Sequence, residues 1–168
     1  MKSALIMVLG LPGVGKSYFA RRFAESIEAV HINSDIIRKQ IIKQPTYTKE
    51  EKALIYDEMF DSVTRFLESG SIVVVDATFS RKEHRLRYFN YVDEQELNLK
   101  LIKIEANEDV VRERLKVKRP DSDADYAVYQ KIKREYSQIE RPHLILDSTM
   151  LNIDQMIEKA KEYITSIS

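Results

Sequence analysis

The sequence contains no cysteine. That excludes a disulfide framework, a thiolate metal site and a cysteine nucleophile, and it suits a reducing compartment. Only four glycines and four prolines occur in 168 residues. No Gly/Ser linker, repeat or low-complexity tract divides the chain, so the expectation is one domain over 1–168. Neither sign of charge is in excess, with Lys+Arg and Asp+Glu both at 27. A protein that lives on long nucleic acid usually shows a basic surplus or a basic face, because phosphate neutralisation supplies most of that affinity. Nucleic acid therefore stays open as a partner, but the net charge does not favour it. The apolar run in "MKSALIMVLG" is too short to span a membrane and has no signal-peptide cleavage pattern. A cytoplasmic protein without a membrane partner is expected.

What is present is an ordinary globular composition, 43% hydrophobic and 32% charged, with two alternating kinds of pattern. "ALIMVLG" (4–10) and "SIVVVDA" (71–77) are continuous and branched, as in strands buried on both faces. "AVHIN", "LKLIKIEA" and "HLILD" read as three further strands. Between them lie amphipathic helices. Phe19, Phe23 and Ile27 recur every fourth residue; Ala53, Tyr56, Phe60, Val63 and Leu67 line a long helix that stops at Gly70. Ile153, Met156, Ile157, Ala160 and Ile164 form a last stripe. Thr48–Glu51 and Ser80–Glu83 fit the capping-box pattern and predict two helix starts. Strands alternating with helices imply an α/β fold, a parallel sheet covered on both faces. Ligands of such sheets bind beyond the carboxyl ends of the strands, so the residues just after each strand carry the functional question.

After the first strand, "GLPGVGKS" fits G-x-x-x-x-G-K-[ST] in full. The glycines allow backbone N–H groups to turn inward around an anion, and the following helix adds its positive end. Gly10, Leu11, Pro12, Gly13, Val14, Gly15, Lys16, Ser17 and Tyr18 are the candidate nucleotide-binding residues. Lys16 can reach the outer phosphates, and Ser17 can ligate Mg²⁺. After the third strand, Asp76 is the candidate second metal residue; its bland alternative is an Asp opening a turn.

After the second strand, "NSDIIRK" places Asp35 and Arg38 three apart, near a helix start. Asp35 could take the proton from a hydroxyl acceptor while Arg38 holds an anionic part of it. Alternatively Ser34 or Asp35 caps the helix and Arg38 is a solvated charge. After the fourth strand, a helix carrying Val111 and Leu115 runs into a charged segment broken by Pro120. That is the pattern of a lid, about 116–126, offering cations to a transferred phosphoryl group. Arg112, Arg114, Lys118 and Arg119 are the candidates, with Arg114 and Arg119 preferred because Arg112 falls on a more outward face. His31, His84 and His143 show no ligand spacing and are assigned structural roles. "SRKEHRLR" (80–87) is either a solvated face or the wall of a site for an anionic acceptor.

In order, "GLPGVGKS", "INSDIIR", "VVVDATFSR" and "VRERLKVKR" resemble the small P-loop kinases of the polynucleotide kinase and zeta-toxin-like group, over nearly the whole chain. The first motif is common to P-loop proteins generally; the D-x-x-R and "DATFSR" narrow the likeness. The resemblance implies a three-layer P-loop fold with a five-stranded parallel sheet in the order 2-3-1-4-5 and a helical lid. It also implies Mg²⁺-dependent transfer of the ATP γ-phosphoryl group to a hydroxyl. Asp35 corresponds to the group's general base and Arg38 to its acceptor-anchoring arginine, with Thr78 and Arg81 where acceptor contacts fall. Arg114 and Arg119 correspond to lid arginines, and the segment from Asp147 to Thr149 lies near the adenine. The acceptor stays open among a nucleic-acid 5′-hydroxyl, a nucleotide sugar, a small sugar and an antibiotic. Two other classes compete. A GTPase-type switch would need an N-K-x-D motif, which does not follow the fourth strand. A regulatory ATPase module would bind nucleotide without transfer to an alcohol.

Overall fold

A computed structural model of the chain describes residues 3–46, 48–117 and 125–166. Its centre is β1 (Ala4–Leu9), six residues that are all buried. β3 (Ile72–Asp76) pairs with it in parallel on one side, and β4 (Asn98–Glu105) on the other. β2 (Val30–Asn33) and β5 (Leu144–Asp147) complete the sheet in the order β2-β3-β1-β4-β5. The expected order is thus observed.

Alternation along the strands sorts the core into two layers. Leu5, Met7 and Leu9, with Val73, Val75 and Leu101, face α3 (Lys49–Glu68) and α4 (Lys82–Glu94). Ile6 and Val8, with Val74, Ile102 and Ile104, face α1 (Lys16–Ser26) and α7 (Ile153–Thr165). Helices therefore cover both faces, which is why the central strands read as continuous branched runs rather than alternating ones. In α1, Phe19 and Phe23 are fully buried and stack at 5.4 Å between ring centres. Burying each such ring is worth about 2–3 kcal/mol.

Two details differ from the sequence expectation. Tyr56, Val63 and Leu67 of α3 are buried as expected and Phe60 packs partly buried against them, but Ala53 is exposed, and Ile55 and Met59 complete the stripe. The apolar face is wider than the every-third-or-fourth spacing picked out. The second difference is at α4, which begins at Lys82 with Arg81 as its uncapped N-cap, so no capping box forms at Ser80–Glu83. Tertiary bonds take the chain there: Ser137 N–H donates to Ser80 O (2.8 Å), and Arg85 Nη1 donates to Phe79 O (2.8 Å). Thr48 does cap α3, accepting from Glu51 N–H. The remaining helices are α2 (Ser34–Ile41), α5 (Glu108–Lys116) and α6 (Tyr126–Glu135).

Candidate functional site at the carboxyl edge of the sheet

The loop between β1 and α1 turns on three glycines with positive φ. A side chain at Gly10 (φ 155) would meet Ile104 O at 2.6 Å. Gly15 (φ 94) is the N-cap of α1, and no side chain caps that helix. Its first N–H groups are therefore presented to whatever lies inside the loop, a geometry that suits a phosphate. Lys16 Nζ rests on Leu11 O (3.4 Å), and Tyr18 stays exposed on the outer side of the first turn.

Asp76 sits at the end of β3, in register with Val8 of β1 and Asn33 of β2. Its carboxylate is completely buried. Ser17 Oγ (2.9 Å) and Asn33 Nδ2 (2.8 Å) donate to Oδ1, and His31 Nε2 meets Oδ2. Burial on this scale needs such partners. The donor set of a hydroxyl and a carboxylate fits Mg²⁺, which takes oxygen ligands and is commonly held by one or two carboxylates plus substrate phosphates.

Asn33 is the joint of the site. Its Nδ2 donates to Ser17 Oγ (3.1 Å) as well as to Asp76, while its Oδ1 accepts from the Asp35 and Ile36 N–H groups (2.9 and 3.0 Å). It, not Ser34 or Asp35, caps α2. That frees the exposed Asp35 carboxylate, which pairs with Arg38 at 2.8 Å. Arg38 also approaches the buried Glu51 at 3.5 Å.

Thr78 lies on the same edge, two residues after Asp76. Tyr136 OH donates to Thr78 O (2.6 Å), and Tyr56 OH is 3.5 Å from Thr78 Oγ1. Burial pushes both phenols above their ordinary range. Arg85, almost fully buried, ties Phe79 O to Gln138 O. On the opposite side, Arg114 Nη1 donates to Gly13 O (3.2 Å) and lies 3.5 Å from Ser148 Oγ, which itself donates to Val14 O (2.6 Å). Arg114 is thus folded onto the glycine loop. Arg112 points away, bonded to Tyr126 OH (2.8 Å). Lys118, Arg119 and Pro120, and with them most of the expected lid, lie outside the described residues.

Asn33 and Tyr136 carried no individual role in the sequence reading, His31 was assigned only a structural one, Tyr56 only a place on a helix stripe, and Ser148 only a place in the segment near the adenine. Asn33 had a signal, since Asn is among the best N-caps. The contacts of the others had none, because their partners lie far away in the chain. A cleft of about 570 Å³ lined by Ile27, Val30, Gly70, Ile72 and Ile164 lies at the amino ends of the strands. It lies at the opposite end of the strands from this constellation and holds none of its residues. Among the described residues, no helix is long and apolar enough to cross a membrane.

A glycine loop feeding an uncapped helix, with a buried carboxylate on the adjacent strand, defines the P-loop class. The chain belongs to the AAA domain family, which matches residues 5–142. It is 23% identical to an adenylyl-sulfate kinase of Bacillus licheniformis, over 97% of this chain and 85% of that one. The fold superposes on the Mycobacterium tuberculosis APS kinase solved with AMPPNP and APS, with a TM-score of 0.75 at 18% identity, covering 98% and 99% of the two chains. It also superposes on a gluconokinase of Sinorhizobium meliloti, with a TM-score of 0.67 at 19% identity and 98% of each chain.

Proposed function

We propose that this protein is an ATP- and Mg²⁺-dependent kinase that moves the γ-phosphoryl group to a hydroxyl acceptor. Within its family we place it beside the small kinases of the polynucleotide kinase and zeta-toxin-like group, on the strength of Asp35, Arg38 and the "DATFSR" segment. The observation that carries the reading is the Asn33 side chain. Its four hydrogen bonds tie the start of the P-loop helix, the buried carboxylate and the helix bearing Asp35 into one unit.

In this reading the glycine loop and Lys16 hold the ATP phosphates, and the adenine lies near Asp147, Ser148 and Thr149. Ser17 and Asp76 hold Mg²⁺, which when bound neutralises charge on the transferred group. Asp35 takes the proton of the acceptor hydroxyl as its oxygen forms a bond to the γ-phosphorus. The bond from that phosphorus to the bridging oxygen breaks, and ADP leaves with the electron pair. Arg114, whose bond to Gly13 O supports the reading, stabilises the developing charge, with Arg119 as its expected partner. Arg38 orients Asp35 and the acceptor, and Thr78 and Arg81 complete the acceptor side.

The test is a panel of alcohols with γ-labelled ATP, using Asp35→Asn as control. Transfer should fall about 10²–10⁴-fold in the variant while ATP affinity is kept. Equal turnover would remove the base assignment. Nucleotide-dependent partner binding with no labelled product would replace the kinase with a regulatory module.

A further inference from the structure

The segment that follows β5 reaches the glycine loop at a backbone carbonyl. Ser148 is half-buried, and its Oγ donates to Val14 O at 2.6 Å, across 134 positions of sequence. The serine is braced from both sides. Its own N–H donates to Glu105 O (2.9 Å), at the end of β4. The next residue is held by two bonds: Thr149 N–H donates to Asp147 Oδ1 (2.8 Å), and Thr149 Oγ1 accepts from Asn107 N–H (2.8 Å), the N-cap of α5. A hydroxyl mounted on two strand ends and a helix cap has little freedom to point elsewhere.

What Ser148 grips decides where the neighbouring N–H points. No described peptide bond is cis, and in a trans peptide the carbonyl and the following N–H point in opposite directions. Val14 O is drawn toward the segment after β5, so the Gly15 N–H is turned the other way, into the loop. Arg114 Nη1 acts alike one peptide earlier, where its bond to Gly13 O (3.2 Å) turns the Val14 N–H inward. Among the described residues, no hydrogen bond is accepted from either of these N–H groups. Two successive N–H groups facing one side form a concave anion site. The two outside donors sit together: Arg114 Nη1 is 3.5 Å from Ser148 Oγ, and a Cβ added at Gly15 would meet them at 3.7 and 3.9 Å.

The loop needs such support because of its composition. Gly13 (φ 81) and Gly15 (φ 94) flank Val14, and glycine restrains its own peptides least of all residues. A peptide that rotates freely must be ordered when an anion binds, which weakens binding; one already held by an outside donor is not. We infer that Ser148 is a positioning residue for the phosphates: through Val14 O it holds the Gly15 N–H inward, so the segment expected beside the adenine acts on the other end of the nucleotide. The inference rests on the nucleotide-binding half of the kinase reading and involves no transfer step.

The test separates the two ends of the nucleotide. Inorganic triphosphate carries the phosphates without the base, and AMP-PNP carries both; each is titrated with Mg²⁺ into the full chain. Ser148→Ala should weaken both by the same factor, about three- to tenfold, because the bond it removes serves the phosphates. With only four glycines in the chain, ¹⁵N-glycine labelling resolves the Gly15 N–H signal. Saturating triphosphate should move that signal downfield in the wild type and by clearly less in Ser148→Ala. Should the alanine variant not fold, Ser148→Cys keeps the shape with a weaker donor and should show the same equal losses.

Loss of AMP-PNP affinity with triphosphate binding intact would make Ser148 an adenine contact and overturn the inference. Unchanged affinity for both ligands would overturn it too, as would a wild-type protein that binds AMP-PNP but not triphosphate. Equal losses, with no alcohol phosphorylated by the wild type, would keep the inference and count against the transfer reading alone.

Discussion

The two sides of the carboxyl edge are built from different materials. On the nucleotide side, eight consecutive residues from Gly10 to Ser17 shape a loop largely of backbone, and the anion donors are N–H groups that cannot titrate. On the side proposed for the acceptor, side chains arrive from α2, α3 and the loop after β3, among them Asp35, Arg38, Tyr56 and Thr78. Backbone donors recognise any polyphosphate and tolerate little change. Side-chain donors can be exchanged one at a time, so the proposed acceptor side is where related folds can diverge in substrate while keeping one nucleotide site.

Breaking the backbone side should have the largest effect on folding. Gly10→Ala puts a Cβ against Ile104 O at 2.6 Å, at a positive φ that L side chains rarely adopt, whereas Gly70 (φ 90) has nothing within 4 Å of the same added atom. Gly10→Ala should cost about 3 kcal/mol and Gly70→Ala about 1 kcal/mol in chemical denaturation. Comparable losses at the two positions would show that conformation, not the close approach, limits the loop.

Asn33→Ala acts on the joint between the two sides. It removes the cap of α2 and leaves Ser17 and Asp76 short of a donor, and should cost about 1–2 kcal/mol. Turnover should fall further than that stability loss explains, because the helix bearing Asp35 loses its tether. A variant with reduced stability but unchanged kcat and KM would separate the cap from the site.

The smallest effect lies at His84, which stacks on Tyr56. His84 has a folded pKa below its ordinary 6.5, first through burial. With the unfolded chain binding the proton more readily, stability should be full above pH 6.5 and decline as pH falls through the folded pKa. Thermal unfolding across that window should show the slope in the wild type and a shallower one in His84→Gln. An identical slope in both would move the acid sensitivity elsewhere.

The strands, their burial on both faces and the glycine loop were legible because each depends on residues adjacent in the chain. Asp76 was legible for a related reason, since a carboxylate ending an apolar run marks the sheet's carboxyl edge. The absent capping box at Ser80–Glu83 was not legible, because Ser137 and Arg85, both reached through the fold, claim that loop's carbonyls. Local residue order by itself determined that this protein has an α/β sheet and a loop shaped for phosphate. Only the tertiary structure decided that Asn33 would join Ser17, Asp76 and Asp35, and that Tyr56 and Tyr136 would meet at Thr78. The physical reason is distance along the chain: spacing sets the geometry of a contiguous loop, whereas side chains from β2, β3 and α1 become neighbours only when the strand order and helix packing bring them to one edge.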